Sequence, residues 1–152
     1  MTLGVIVCAY NEARLLSGCL HSLLAQTRQP DEILVVDNAS TDGTGAVARA
    51  VPGVRVLDEP VKGLVTARET GRRHAASDLL VYIDADCRAP ITWLARVEAR
   101  CDRAAAPIAV TGPYRFYDWD RTGRALVRIY DYLVAPPTHA IVHDLIGIGA
   151  IL

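Results

Sequence analysis

The sequence has 152 residues, of which 51% are apolar and 22% are charged, and its formal net charge is −1. This length suits one ordinary domain with its own core, and the composition excludes a disordered chain. The near-neutral charge gives no support for a nucleic-acid partner or for attraction to an anionic membrane.

The cysteines and the hydropathy pattern bear on the compartment. The four cysteines form no C-x-x-C pair, and Cys8 and Cys19 lie in apolar patterns that are typical of buried thiols. No stretch approaches the roughly 20 apolar residues of a membrane helix, and the N-terminus does not have the pattern of a signal peptide. We therefore expect a reducing, cytoplasmic location.

The N-terminal segment predicts a strand, a polar turn and a helix. Residues 3–9 form a continuous apolar run, as in a strand that is covered on both faces. Asn11 is placed to cap the next helix, and Glu12 would then lie in its first turn, where negative charge is favoured. The apolar residues of this helix recur at helical spacing and predict one buried face; they are Leu16, Leu20, Leu23 and Leu24.

Two more strands follow, over residues 31–37 and 54–57, and each leads into a helix. Ser40 or Thr41 is the expected N-cap of a short helix that runs through Ala50. A longer helix is predicted over 64–76. Small residues on one face of it would let the helix approach a sheet closely; that face consists of Leu64, Ala67, Gly71 and Ala75.

The segment 79–86 combines an apolar strand with two carboxylates. The strand is predicted over 79–84, and Asp84 and Asp86 follow at its end. If the extended chain continues to Asp86, the two side chains project to opposite faces, so that one acid meets a ribose and the other a metal ion. Hard oxygen ligands favour Mg²⁺ or Mn²⁺ over zinc. Taken by itself, a pair of acids at this spacing is more typical of a polar turn than of a metal site.

The rest of the chain predicts a helix over 93–103, a strand over 108–112 and a helix over 121–133. The apolar residues 145–152 are more typical of a strand that continues than of the end of a protein, so we expect a truncated or unusually short chain. An incomplete sheet edge at these residues would favour pairing with another chain and hence a homo-oligomer.

The alternation of strands and helices from residue 3 to 112 predicts an α/β fold. It indicates a three-layer α/β/α arrangement around a mostly parallel, Rossmann-like sheet, in one domain that is incomplete at its C-terminal part. Ligands bind such sheets outside the carboxyl ends of the strands. Because several predicted strands end on acids, this edge suits a metal ion and a ligand rich in hydroxyl and N–H donors.

Three side chains near this edge have two open interpretations each. Asp37 can accept a hydrogen bond from a base imino N–H or a sugar hydroxyl, or it can cap the next helix. Tyr10 offers a flat face on which a base can stack, or it belongs to the core. Arg68 can reach a base carbonyl or a phosphate, or it lies on a solvated helix face.

A rival motif is the G-x-G-x-x-A pattern of Gly43, Gly45 and Ala48, which follows a strand and opens a helix. With Glu59 after the next strand, it is a partial match to a dinucleotide fingerprint and suggests an NAD-type binder. We rank it second, because five residues separate Asp37 from Gly43 and because Asp37 and Asp42 would lie close to the pyrophosphate.

Four segments in this order resemble the family 2 glycosyltransferases of the GT-A fold, from about residue 3 to 115. They are VCAYNE at 7–12, VVDNASTDGT at 35–44, G-x3-A-R-x2-G at 63–71 and YIDAD at 82–86. The resemblance implies transfer of a sugar from a UDP- or GDP-type nucleoside-diphosphate sugar to an acceptor hydroxyl, with Mn²⁺ or Mg²⁺ stabilising the leaving diphosphate. Residues 1–115 would form the nucleotide-binding core, and 116–152 the start of an acceptor-side region.

The resemblance also implies roles for individual residues. Tyr10 and Asp37 would hold the base, with Glu12 against the nucleoside and Arg68 in contact with the nucleotide. Asp84 would contact the ribose, and Asp86 would ligate the metal ion. The full set of expected nucleotide-sugar-binding residues is Ala9, Tyr10, Glu12, Asp37, Arg68, Asp84 and Ala85, and the metal ligands are Asp86 and Asp84.

Two departures from the family pattern leave alternatives open. Many members have Ala-Arg-Asn where this chain has Ala67-Arg68-Glu69, so Glu69 either puts a charge near the diphosphate or is a solvated acid. Members usually continue through a glycine-rich acceptor loop, of which 147–149 would be the start, to a segment with the catalytic base. We nominate no catalytic residue and no acceptor. A membrane would be involved only if the acceptor is membrane-bound. A nucleotide-binding module without turnover is the alternative.

Overall fold

The computed structural model describes residues 1–101, 109–111 and 149–151 of this chain, and strands and helices alternate along it. The strands are β1 (Leu3–Ala9), β2 (Glu32–Asn38), β3 (Val54–Glu59), β4 (Leu79–Asp84), β5 (Ala109–Thr111) and β6 (Gly149–Ile151). The helices are α1 (Leu16–Leu24), α2 (Thr44–Arg49), α3 (Leu64–His74) and α4 (Trp93–Cys101). The α/β prediction is confirmed, and the helix expected over 121–133 lies outside the described residues.

The strands form one sheet in the order β3-β2-β1-β4-β6-β5. β1 lies between β2 and β4 and is parallel to both, and β3 is parallel to β2, so these four strands end at the same edge. β6 is antiparallel to β4, with Leu80 opposite Ile151. The prediction of a mostly parallel sheet is confirmed. The expected free edge is wrong for 149–151, because β6 has a strand on each side.

Helices cover both faces of the sheet because the side chains of β1 alternate between two buried clusters. Val5 and Val7 belong to the larger cluster, with the residues of α1 and α4. Ile6 belongs to the smaller cluster, with Ala67 of α3. The predicted inner faces of two helices are confirmed by burial of Leu16, Leu20, Leu23, Leu94, Val97 and Cys101. This gives the expected three layers.

α3 lies close to the sheet because it has no side chain at Gly71. A Cβ atom there would lie 2.5 Å from Ile6 Cγ2, which is closer than real Cβ contacts. The prediction that small residues bring this helix onto the sheet is therefore confirmed at Ala67 and Gly71. It is wrong at Leu64, which is 54% exposed in the first turn.

The cysteines are all free; Cys19 and Cys101 are buried, while Cys8 and Cys87 are partly buried. Burial raises the pKa of the Cys8 thiol to about 11 and that of Cys19 to about 12, so both stay protonated at neutral pH. The prediction of a small buried hydrophobe is confirmed for Cys19, while Cys8 is only partly buried. None of the helices in the described ranges is long and apolar enough to cross a membrane.

Candidate functional site

The carboxyl ends of β1, β2 and β4 bring the candidate residues to one edge of the sheet. Ala9 pairs with Asp37 across the β1–β2 ladder, and Cys8 pairs with Asp84 across the β1–β4 ladder. Parallel pairing in this register places Tyr10, which directly follows β1, between the two acids along the edge. The residues that the sequence nominated from three separate segments therefore lie together.

The loop after β1 is fastened to the loop after β2 by hydrogen bonds from its own backbone. The Asn11 N–H donates to Ser40 Oγ (3.0 Å), and the Glu12 N–H donates to Thr44 Oγ1 (2.8 Å). In return the Thr41 N–H donates to Asn11 Oδ1 (2.8 Å). The backbone at Asn11 is left-handed, with φ of 55°, which short polar side chains tolerate. These bonds fix the direction in which Tyr10 and Glu12 leave the strand.

The same contacts show that the predicted helix caps are wrong. α1 begins only at Leu16 and has no side-chain cap, since Asn11 Oδ1 is used by the neighbouring loop. α2 begins at Thr44 after Gly43, whose φ of 88° suits glycine, and neither Ser40 nor Thr41 caps it. Asp42 Oδ1 instead accepts from the Thr44 N–H at 3.0 Å. The side chains of Asn11 and Ser40 therefore form hydrogen bonds between the two loops and do not cap helices.

Asp37 has a buried carboxylate oxygen without a partner. Its Oδ1 atom is the one buried side-chain oxygen or nitrogen, among the described residues, that makes no hydrogen bond. An unsatisfied buried acceptor costs about 1–3 kcal/mol, more for a charged group, so the site favours a ligand that brings an N–H or O–H donor. Of the two roles left open for Asp37, the structure does not use the helix cap.

The rival glycine motif has a role inside the fold. Gly45, in the first turn of α2, packs directly on Asp37, and a Cβ atom at residue 45 would collide with Asp37 Oδ2 and lie 2.7 Å from an Arg49 nitrogen. In a dinucleotide fingerprint the corresponding glycine makes room for a pyrophosphate. Here the space is taken by a carboxylate of the same chain, which disfavours an anionic ligand at that point.

Tyr10 is 41% exposed, which fits an available ring rather than a core side chain. The ammonium of Lys62 lies over this ring, with Nζ 3.8 Å from the ring centroid. Sequence reasoning missed Lys62 as a site residue. The signal was its position directly before Gly63, at the start of α3 and at the same edge of the sheet.

The D-x-D segment is a turn and not an extended strand. β4 ends at Asp84, and the Cys87 N–H donates to the Asp84 carbonyl oxygen at 3.0 Å, which bends the chain. The premise that Asp84 and Asp86 project to opposite faces of a strand is therefore wrong. Arg68 of α3 lies beside the first acid, with Nη2 3.7 Å from Asp84 Oδ1, and Asp86 is exposed.

The acids at this edge affect the titration of their neighbours. Burial, followed by the negative charges of Asp86 and Asp42, raises the pKa of Glu12. Burial, followed by the charge of Asp86, raises the pKa of the Cys87 thiol to about 12, so this thiol is a poor nucleophile at neutral pH. In both cases burial is the larger cause, and the negative charge of Asp86 acts in the same direction.

The carboxylates at this edge fit a hard divalent cation only if a bound ligand supplies further oxygen atoms to it. No group of three or more His, Cys, Asp or Glu side chains is placed to hold a metal ion within the part of the chain that the structure describes. Mg²⁺ and Mn²⁺ sites of this kind use one or two carboxylates and complete their shell with substrate phosphates and water. Asp86 and Asp84 supply that number of carboxylates.

Comparison with known proteins gives a family and several solved relatives. The family model described as "Glycosyl transferase family 2" matches residues 4–151. Glycosyltransferase AglE of Haloferax volcanii is 36% identical over 100 residues, which cover 61% of this chain and 33% of that protein. The chain spans about a third or less of the length of the curated relatives that it matches.

Two solved structures bear on ligands. Mannosyltransferase PcManGT from Pyrobaculum calidifontis, solved with GDP-Man and Mn²⁺, is 34% identical with a TM-score of 0.54, and the match covers 61% of this chain and 32% of that one. S. aureus TarS, solved with UDP-GlcNAc, is 25% identical with a TM-score of 0.62, and the match covers 67% of this chain and 31% of that one.

Proposed function

The chain belongs to glycosyl transferase family 2, and from this membership we propose that it binds a nucleoside-diphosphate sugar for transfer of the sugar to an acceptor hydroxyl. The observation that carries the proposal is the unpartnered oxygen of Asp37 beside the exposed ring of Tyr10. Uracil or guanine satisfies both groups at once, because each has an imino N–H in its plane and a π-face for stacking.

The rest of the donor follows the sheet edge from β2 to β4. The base lies at Tyr10 and Asp37, and Glu12 lies against the nucleoside. Arg68 contacts the nucleotide from α3, and Asp84 accepts from a ribose hydroxyl. Ala9 and Ala85 are buried at the strand ends, so the ligand meets them through their backbone. The UDP- and GDP-sugar complexes of the solved relatives support a donor of one of these two types.

A divalent ion, Mn²⁺ or Mg²⁺, would be held by Asp86 with help from Asp84. When bound, it supplies positive charge that stabilises the departing diphosphate. The chain's own contribution on this side is Arg68, whose guanidinium already lies 3.7 Å from Asp84. It orients this acid and adds a cation that is present without the metal. The Mn²⁺ in the PcManGT structure supports the use of a divalent ion.

In this proposal residues 1–115 form the nucleotide-binding core of one domain, and the four free cysteines fit a reducing, cytoplasmic location. The described residues supply donor groups and no nominated catalytic base, so the transfer itself is proposed from the family. The NAD-type alternative is not proposed, because the carboxylate of Asp37 occupies the space beside Gly45.

The test is calorimetric titration of the chain with UDP and with GDP, each with and without Mn²⁺. Asp37→Ala removes the buried acceptor, and a charged hydrogen bond contributes about 1.5–3 kcal/mol, so nucleotide binding should weaken about 10- to 150-fold. Asp58→Ala is the matched control, because Asp58 is the register partner of Asp37 on β3 and is exposed. Equal losses in both variants, or no nucleotide binding by the folded wild type with Mn²⁺, would contradict the proposal.

A further inference from the structure

Lys62 occupies the surface that the proposed base needs. Its Nζ atom lies 3.8 Å from the centroid of the Tyr10 ring, although the two residues are 52 positions apart in sequence. A cation at this distance from a ring face is attracted by the ring's quadrupole. In the nucleotide-free chain, a face of the stacking ring is therefore covered by a side chain of the same protein.

The backbone that carries Lys62 is fixed by Asn38, the last residue of β2. Asn38 is 4% exposed, and its Nδ2 atom donates to the carbonyl oxygens of Glu59 (3.2 Å) and Val61 (2.7 Å). Its Oδ1 atom accepts from the Gly63 N–H at 2.7 Å. These bonds fix the residues before and after Lys62, Val61 and Gly63. The end of β2 thus sets the position from which the lysine reaches Tyr10.

Glu59 fastens the same loop from its other end. Its side chain accepts from the Val61 N–H at 2.8 Å and from the Thr70 hydroxyl of α3 at 2.6 Å. The loop thus has its backbone groups satisfied and its position defined, while the Lys62 side chain is exposed. The side chain can leave the ring without breaking any of these bonds.

The two interactions that compete for the Tyr10 ring, the cation–π contact and base stacking, differ in strength. An exposed cation–π contact changes an equilibrium constant by about 2- to 5-fold. Stacking of a base on an aromatic ring changes it by roughly 5- to 150-fold. A base therefore displaces the ammonium, and the contact lowers the affinity of the site for the base without closing it.

We propose that Lys62 is a specificity-determining residue, which covers the base-stacking face of Tyr10 in the nucleotide-free protein and is displaced when a nucleotide binds. This inference rests on the proposed function, since it requires a base at Tyr10. Lys62 would make the site discriminate between nucleotides and nucleosides. After its displacement the ammonium stays at the edge of the sheet, where its charge attracts a diphosphate. A nucleoside or free base lacks this attraction, so nothing offsets the loss of the contact between Lys62 and Tyr10.

The first test uses the fact that Lys62 is the single lysine of the sequence. Labelling with lysine that carries ¹³C at Cε alone gives one side-chain methylene signal, which the ring current of Tyr10 shifts upfield in the nucleotide-free protein. Addition of UDP or GDP with Mg²⁺, which unlike Mn²⁺ is diamagnetic, should move this signal to its unshifted position, and Tyr10→Leu should remove the shift without nucleotide. An unshifted signal in the nucleotide-free wild type overturns the inference.

The second test compares ligands with and without phosphates by calorimetry. Lys62→Ala should bind uridine or guanosine about 2- to 5-fold more tightly than the wild type, because the competitor is gone. The gain should be smaller or reversed for UDP and GDP. Lys62→Arg keeps a cation for the ring and should resemble the wild type. Arg96→Ala removes one positive charge from an exposed position of α4 and should change neither affinity.

The outcomes separate the two proposals. Nucleotide binding by the wild type, together with an unchanged or weakened nucleoside affinity in Lys62→Ala, contradicts the role of Lys62 and leaves the proposed function intact. A lysine signal that keeps its shift while calorimetry shows bound nucleotide has the same meaning. Failure of UDP and GDP to bind to any variant contradicts the proposed function and the displacement together.

Discussion

The two sides of the candidate site are built in different ways. On the base side, at the ends of β1 and β2, hydrogen bonds join the loops, and the buried acceptor on Asp37 is already in place. On the diphosphate side, at the end of β4, the acids lie in a short turn, Asp86 is exposed, and Arg68 is 3.7 Å from Asp84. The proposed base side is thus already formed without a ligand, whereas the proposed diphosphate side would be completed by the ligand and its metal ion.

The largest expected effect is a loss of nucleotide affinity in Gly45→Ala, a variant that alters the base side while the protein stays folded. In Gly45→Ala the new Cβ atom displaces the Asp37 carboxylate, so nucleotide binding should weaken about 10- to 100-fold, within the range expected for loss of a charged hydrogen bond. The free energy of unfolding should change by less than about 1 kcal/mol, because alanine is the better helix former. Calorimetry and urea unfolding measure the two quantities.

The control for this variant is Ala46→Gly, at an exposed position of the same helix. It should show the opposite pattern, with about 1 kcal/mol less stability and unchanged nucleotide binding. If Gly45→Ala binds nucleotide as the wild type does, the carboxylate of Asp37 is not the acceptor that the base uses.

The next effect breaks the bond between the loops. Thr44 is fully buried, and its hydroxyl accepts from the Glu12 N–H and donates to Asp42. In Thr44→Val the Glu12 N–H loses its acceptor, whereas Asp42 Oδ1 keeps the bond from the Thr44 N–H, so the free energy of unfolding should fall by about 1–3 kcal/mol, as measured in urea. Thr92→Val, at an exposed position, should stay within about 0.5 kcal/mol of the wild type. A stable Thr44→Val protein would mean that the base side is not preformed.

A smaller effect is confined to the diphosphate side. Asp86→Asn removes a proposed metal ligand, and because even indirect partners change metal affinity about 10- to 100-fold, the Mn²⁺ dependence of nucleotide binding should drop at least about tenfold. Titration in EDTA should show the same affinity as the wild type. Asp58→Asn serves as the control. Loss of binding in EDTA would show that Asp86 belongs to the preformed part of the site.

The smallest effect concerns Glu69, next to Arg68. Hydrogen bonds from Arg72 and Arg73 lower the pKa of Glu69 from 4.5 to about 2. A carboxyl whose folded-state pKa is lowered stabilises the protein above its unfolded pKa, and this contribution is lost as the pH falls from about 4.5 to about 2. The stability difference between the wild type and Glu69→Gln should therefore shrink over this window, as thermal unfolding at pH 5 and pH 3 would measure.

Glu69→Gln also resolves the question that the sequence left open. The two arginines with which Glu69 pairs lie one turn further along α3, so we interpret it as a solvated acid of the helix surface. Nucleotide affinity at pH 7 should be unchanged in this variant. A tighter affinity for UDP or GDP would mean that its charge faces the diphosphate after all.

The elements that could be predicted from the sequence are those set by local periodicity. The apolar run of β1 and the helical spacing of Leu16, Leu20 and Leu23 follow from burial, which repeats along the chain. Leu64 shows the limit of such a pattern, since periodicity gives a helix face but not the point along the helix where the contact with the sheet begins.

The features that were missed depend on contacts between distant loops. Asparagine is a residue type that often caps helices, but the side-chain oxygen of Asn11 accepts from the Thr41 N–H, 30 residues away. Lys62 lies over Tyr10 because Asn38 holds the intervening loop, a relation that the sequence of each segment does not contain. The grouping of the nominated residues at one edge could be predicted because the carboxyl ends of parallel strands meet there.

The place of β6 in the sheet has a consequence for the order of assembly during synthesis. The four parallel strands are complete at Asp84, whereas β5 is separated from β4 by β6, which follows 37 residues later (112–148). At ribosomal rates of about 5–20 residues per second, β5 waits roughly 2–7 s for its neighbour in the described sheet. Protease digestion of ribosome-bound chains of increasing length would measure this interval, and early protection of β5 would exclude it.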